Sequence, residues 1–120
     1  GYDLPSQTFS AGEPVTLTLY WQALEGAGDA DYAVFTHILA VDGPLAGQHD
    51  GPPAGGARPT ASWVPGEIIT DPHAMTFREP YAGPARVEVG LYDPATMERV
   101  TVGGVETFVL LPTMLSILER

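Results

Sequence analysis

The chain has 120 residues, 44% of them hydrophobic, with 14 Gly, 12 Pro and no Cys. That is apolar content enough for one domain with a workable core, and it excludes a disordered tail, disulfides and Cys-based metal or thiol chemistry. The acids number 15 against five bases, all Arg, for a formal charge of −10, which disfavours nucleic acid and anionic lipid as partners and, without Lys, rules out Schiff-base and P-loop chemistry.

After a loose start, "GEPVTLTLYWQA" gives the first clear element. Val15, Leu17, Leu19, Trp21 and Ala23 alternate with Thr16, Thr18, Tyr20 and Gln22, and this period of two predicts a strand with the first set facing the core. Residues 25–31 read as a polar, Gly-containing loop. Residues 32–41, "YAVFTHILAV", are apolar on both faces, as a central strand covered on each side should be. Asp42-Gly43 then signals a turn.

The stretch 44–66 is too long for one structureless loop. It divides into a short edge strand at 45–50, a Pro/Gly-rich crossing, and Trp63 beside a "VPGE" turn. Residues 67–77 predict a strand that carries Pro72, which places it at an edge or at a bulge. A second crossing, "REPYAGPAR", leads to 85–93, where Val87, Val89 and Leu91 point inward and Arg86, Glu88 and Tyr92 outward. "DPATMER" makes a hairpin loop into 99–102, and the last clear strand is 105–112. The closing "PTMLSILER" is either one more edge strand or the end of a piece of a longer chain.

About seven or eight short strands separated by turns predict an all-β fold, an immunoglobulin-like antiparallel β-sandwich spanning residues 1–120 as one domain. The expected core is Leu17, Leu19, Trp21, Val34, Ile38, Val87, Val89, Leu91 and Phe108. The chain begins at Gly1 without Met and shows no leader or membrane span, so it is expected to be a piece of a longer protein.

Four segments in order carry a resemblance: "FSAGEPVTLTLYWQA", "DYAVFTHILAVDG", "GQHDGPPAGGARPTASWVPGEIITDP" and "VEVGLYDPATMERV". They resemble the soluble β-sandwich domain appended to large bacterial membrane proteins of glycosyltransferase-like or hypothetical type. More distantly, the entry strand is similar to that of bacterial extracellular immunoglobulin-like modules. The resemblance spans residues 9–112 and implies an extracytoplasmic or cell-surface module, membrane-tethered through its parent chain. Met97 departs from it, standing where such hairpins usually carry a left-handed Gly, at a steric cost.

Candidate chemistry is sparse. Two imidazoles and a carboxylate suit zinc or iron, which makes His37, Asp71 and His73 a conceivable metal set. The plainer reading has Asp71 and His73 bonding backbone around Pro72, with His37 a satisfied interior histidine. Asp29, Asp31, Asp42, Asp50 and Asp93 sit in or beside loops, where carboxylates hold calcium in many β-sandwiches; Asx-turns explain them more cheaply. Asp50 and Asp71 are the acids that would ligate a metal, and could face each other as a carboxylate pair. Ser6, Ser10, Ser62 and Ser116 lie in no nucleophile elbow. No catalytic residue, resident metal or cofactor is therefore expected.

The aromatics offer more. Tyr20 and Tyr92 point outward, and Trp63 and Tyr81 lie in the Pro/Gly-rich crossings; stacked pyranose rings favour such faces. Against this, Tyr20 and Tyr92 could pair across strands while Trp63 plugs one end of the fold. The expected function is a non-catalytic accessory module binding carbohydrate or another cell-envelope ligand for its parent membrane protein. The alternative is a structural interaction domain that oligomerises through a strand edge.

Overall fold

A computed structural model describes residues 1–26, 30–78, 80–101 and 106–119. The protein is all-β, a single curled, mixed sheet with no α-helix among the described residues. Its strands are β1 (Tyr2–Asp3), β2 (Thr8–Ser10), β3 (Val15–Gln22), β4 (Ala33–Ala40), β5 (Leu45–Gly51), β6 (Ile68–Phe77), β7 (Gly83–Tyr92), β8 (Val109–Leu110) and β9 (Leu115–Leu118). They lie in the order β1-β3-β6-β5-β4-β7-β9-β2, with β8 added beside β7. Every pairing is antiparallel except β2 with β9, which run parallel from Thr8 opposite Ser116 to Ser10 opposite Leu118.

The alternating strands form where the side-chain period demands. On β3, Val15, Leu17 and Leu19 are buried while Thr16 and Tyr20 are exposed. They meet Val34 and Ile38 of β4, Met75 of β6, Ala85, Val87 and Val89 of β7, and Leu115 and Ile117 of β9 in one core. Six of the nine expected core residues are buried; Trp21, Leu91 and Phe108 are only half-buried. Trp21 sits toward one end of the core, where its ring meets Trp63 at 6.3 Å between centroids.

β4 is covered on both faces, as expected of a strand with apolar residues on each. On the side away from the main core, Phe35 lies across Gly90 of β7, where a Cβ would come within 2.4 Å of its ring. Aromatic side chains stand over glycine in this way because the missing Cβ leaves a ring-sized recess. Glu88, expected outward, does point to that face but is buried beneath His37 and Arg99.

Several neighbours differ from expectation. β5 is not an edge strand: it pairs with β4 along its length and with β6 at Gly47 and Gln48. Short length and mixed polarity suggested an edge, but pairing is a long-range property that a strand's own residues do not encode. Pro72 lies within β6 opposite Thr18 without a register shift, in a stretch whose other flank is unpaired; a missing donor is tolerated there. The closing residues form β9, flanked by β7 and β2, so they are an inner strand of the fold. The loose start contains β1 and β2, each too short to show a period. Residues 102–105, including the expected start of the last strand, lie outside the described residues, as does Asp29.

Candidate functional site

The four aromatics singled out from sequence are not brought together. Tyr20 is exposed on β3, and its hydroxyl donates to Asp3 Oδ2 at 2.7 Å, which raises its pKa. It is no partner of Tyr92, because β3 pairs with β1 and β6 while β7 pairs with β4, β8 and β9; Tyr20 stands opposite Thr70. Tyr81 folds over Gly83, and its hydroxyl donates to the Pro84 carbonyl. Trp63 is buried against Ala23, Ile69 and Trp21, with its indole N–H on the Arg58 carbonyl at 2.9 Å. It offers no face for a ligand and plugs the end of the fold.

Tyr92 is different. It closes β7 and lines an open cleft of about 390 Å³ with Tyr32, Asp31, Pro52, Pro59 and Pro94. Burial pushes the Tyr92 phenol up, and the Asp50 carboxylate beside it adds to the shift. The walls are tied together. Tyr32 N–H donates to Thr60 Oγ1 at 2.8 Å, Ala61 N–H donates to Asp31 Oδ1 at 3.1 Å, and the buried Thr60 hydroxyl donates to the Ala30 carbonyl. Prolines fix the wall backbone, and the tyrosines supply flat faces with polar ends. Tyr32 escaped the sequence reading because it looked like the first residue of an apolar strand; the Pro-rich crossing that meets it was the available signal.

The three histidines fall into two clusters on opposite faces of the sheet. On the outer face, His37 Nδ1 lies 3.0 Å from Glu88 Oε1 and its Nε2 lies 3.8 Å from Asp50 Oδ1. Arg99 places its guanidinium 4.2 Å above the Phe35 ring and 3.7 Å from Glu88. On the core face, Asp71 is fully buried. Its Oδ2 accepts from Trp21 Nε1 at 3.0 Å and from His73 Nε2 at 2.7 Å; its Oδ1 accepts from the Ala54 amide at 2.8 Å. Burial alone would raise this carboxyl, but the three donors outweigh it and hold Asp71 below the ordinary carboxylate range. His73 Nδ1 in turn meets His49 Nδ1 at 2.8 Å.

The three residues weighed as a conceivable metal set are not brought together. His37 is on the other face from Asp71 and His73, and Asp50 likewise does not face Asp71, because strand alternation sends Asp50 toward His37 and Asp71 into the core. No group of three or more potential metal ligands occurs among the described residues. Asp93 caps its own turn, its Oδ1 accepting from the Ala95 amide at 2.8 Å. His49 carried no sequence signal beyond its type, since its partner is 24 residues away on β6. The chain matches no protein-family model and no curated protein.

Proposed function

We infer that the protein is a non-catalytic, immunoglobulin-like β-sandwich module that binds carbohydrate or another cell-envelope ligand for a parent membrane protein on the extracytoplasmic side. The supporting observation is the Tyr32–Tyr92 cleft, with flat phenol faces, rigid proline walls and the Asp31 carboxylate at its rim. Sugar rings stack on such faces while carboxylates take their hydroxyl groups. The sandwich reading is supported by strand order. β1-β3-β6 correspond to strands A, B and E of immunoglobulin domains, and β5-β4-β7-β9 to C′, C, F and G. The two-residue contact of β5 with β6 joins these halves around their common core.

A glycan array probed with the chain tests the ligand reading. Reproducible binding that disappears in both Tyr92→Ala and Tyr32→Ala is expected; binding that survives both variants moves the site elsewhere and removes the argument. A second reading is favoured by a different feature, the open apolar groove of about 320 Å³ lined by Tyr2, Tyr20, Trp21, Val109 and Leu111. Together with the exposed Leu110 and Val109 it suits a structural interaction domain. A silent array with a dimer by light scattering supports that reading instead.

A further inference from the structure

The loop between β5 and β6 carries Pro52 and Pro59 to the cleft; besides the buried Pro53 and Trp63 rings, side-chain bonds fasten it at two places. One is the tie to the entry of β4, where Tyr32 N–H donates to Thr60 Oγ1 and Ala61 N–H to Asp31 Oδ1. The other is the bond from the Ala54 amide to Asp71 Oδ1. Ala54 has φ 54°, a left-handed conformation that alanine avoids, and Gly55 and Gly56 continue it. Such backbone persists where surrounding contacts over-determine it. Here one of those contacts is a buried carboxylate, beside the buried Pro53 and the Ala57 amide on the Ala54 carbonyl.

Asp71 ends a chain of bonds that reaches the exposed His49. With Asp71 ionised, His73 donates from Nε2, so the neutral ring presents a lone pair at Nδ1. His49 donates to it from its own Nδ1, which leaves His49 Nε2 as the site for an incoming proton. One added proton at that position keeps every bond, although burial opposes the charge on His49. A second added proton forces an N–H onto both facing nitrogens. Two donors and two positive charges would then meet across 2.8 Å with no acceptor between them, and the exposed ring must leave. His49 stands two residues before Gly51, where the loop departs, so its exit opens the Asp71 carboxylate to water. Water then competes for the bond that holds Ala54 in its strained turn.

We propose that Asp71 is the positioning residue of the cleft and that the His73–His49 pair makes its hold proton-dependent: the proline wall stays seated with no proton or one proton added to the pair and is released by two. The charged groups acting on the pair, among the described residues, are Asp71 on β6 and Asp50 beside His49 on β5. The neighbouring strands bring uncharged side chains: Trp21 and Leu17 from β3, Thr36 from β4. Burial and the adjacent His73 push the His49 pKa below its ordinary value, consistent with resistance to full protonation. The regulatory consequence rests on the cleft being the ligand site; the latch does not.

The experiment follows amide and indole N–H signals of the whole chain by NMR from about pH 8 to 4.5, above the range where Asp71 itself takes a proton. The Ala54 amide, the Trp63 indole, and the Tyr32 and Tyr92 amides are expected to shift together in one step as the pH falls below the ordinary histidine range. In His49→Asn, whose amide donates in place of Nδ1–H but does not titrate, the step should vanish. A wild-type protein without the step, or a His49→Asn protein that keeps it, overturns the proposal. Asp71→Asn should displace the same signals already at about pH 7; if that variant fails to fold, the His49→Asn comparison decides alone. A step with a silent glycan array removes the ligand reading and leaves the latch. Glycan binding without a step does the reverse.

Discussion

At Gly90 an added Cβ would lie 2.4 Å from two ring carbons of Phe35, a contact the ring relieves only by leaving its recess between β4 and β7. Gly90→Ala is expected to cost about 1–3 kcal/mol in urea denaturation, and Phe35→Leu in the same chain should return part of it. An unchanged midpoint for Gly90→Ala would mean the ring is free to move. Met97 carries the opposite opportunity: its φ of 65° is left-handed, so Met97→Gly should stabilise by up to about 1 kcal/mol. This position was marked by the resemblance, whose hairpins usually carry Gly there. Trp21 was legible only in part. Alternation gave its inward direction, whereas its indole bond to Asp71 depends on β6 lying beside it in one register. Trp21→Phe keeps most of the ring and removes that donor, which should cost about 1–3 kcal/mol because a buried acceptor loses a partner.

Among elements, β3, β4 and β7 could be read because each is long enough for its period to show, and each is observed within one or two residues of its expected bounds. β1 and β2 could not, being two and three residues long. The same limit applies to the candidate site. The cleft joins the entry of β4, the end of β7 and the β5–β6 loop, and no local pattern states that these three meet. β9 shows what tertiary context adds. Its nine-residue parent segment read as an edge or a frayed end, yet Leu115 and Ile117 are buried between β7 and β2. Leu115→Ala is expected to destabilise by about 2–5 kcal/mol, as a core truncation does. A loss below about 0.5 kcal/mol, the range of ordinary surface substitutions, would show that β9 is peripheral.

For the whole molecule, a charge of −10 on 120 residues opposes compaction through self-repulsion, so salt should raise the melting temperature near neutral pH. Proton linkage acts alongside. Asp71 and His49 both have folded-state pKa values lowered from their ordinary ones, so between the two values of each group the unfolded chain binds more protons than the native one. Their contribution is present above the unfolded values and is lost as pH falls, beginning near an ordinary histidine value of about 6.5 and continuing into the carboxylate range. Wild type and His49→Asn differ by that one titratable group, so in thermal melts the wild-type curve should fall more steeply between about pH 7 and 5; parallel curves would refute the linkage. One further consequence belongs to the parallel pairing of β2 with β9. The chain enters β2 at one end of that ladder and leaves β9 at the other. Tension applied between the entry of β2 and the exit of β9 would slide these strands lengthwise past each other, so the ladder bonds are loaded together and not unzipped in turn. That geometry resists a pull directed along the ladder.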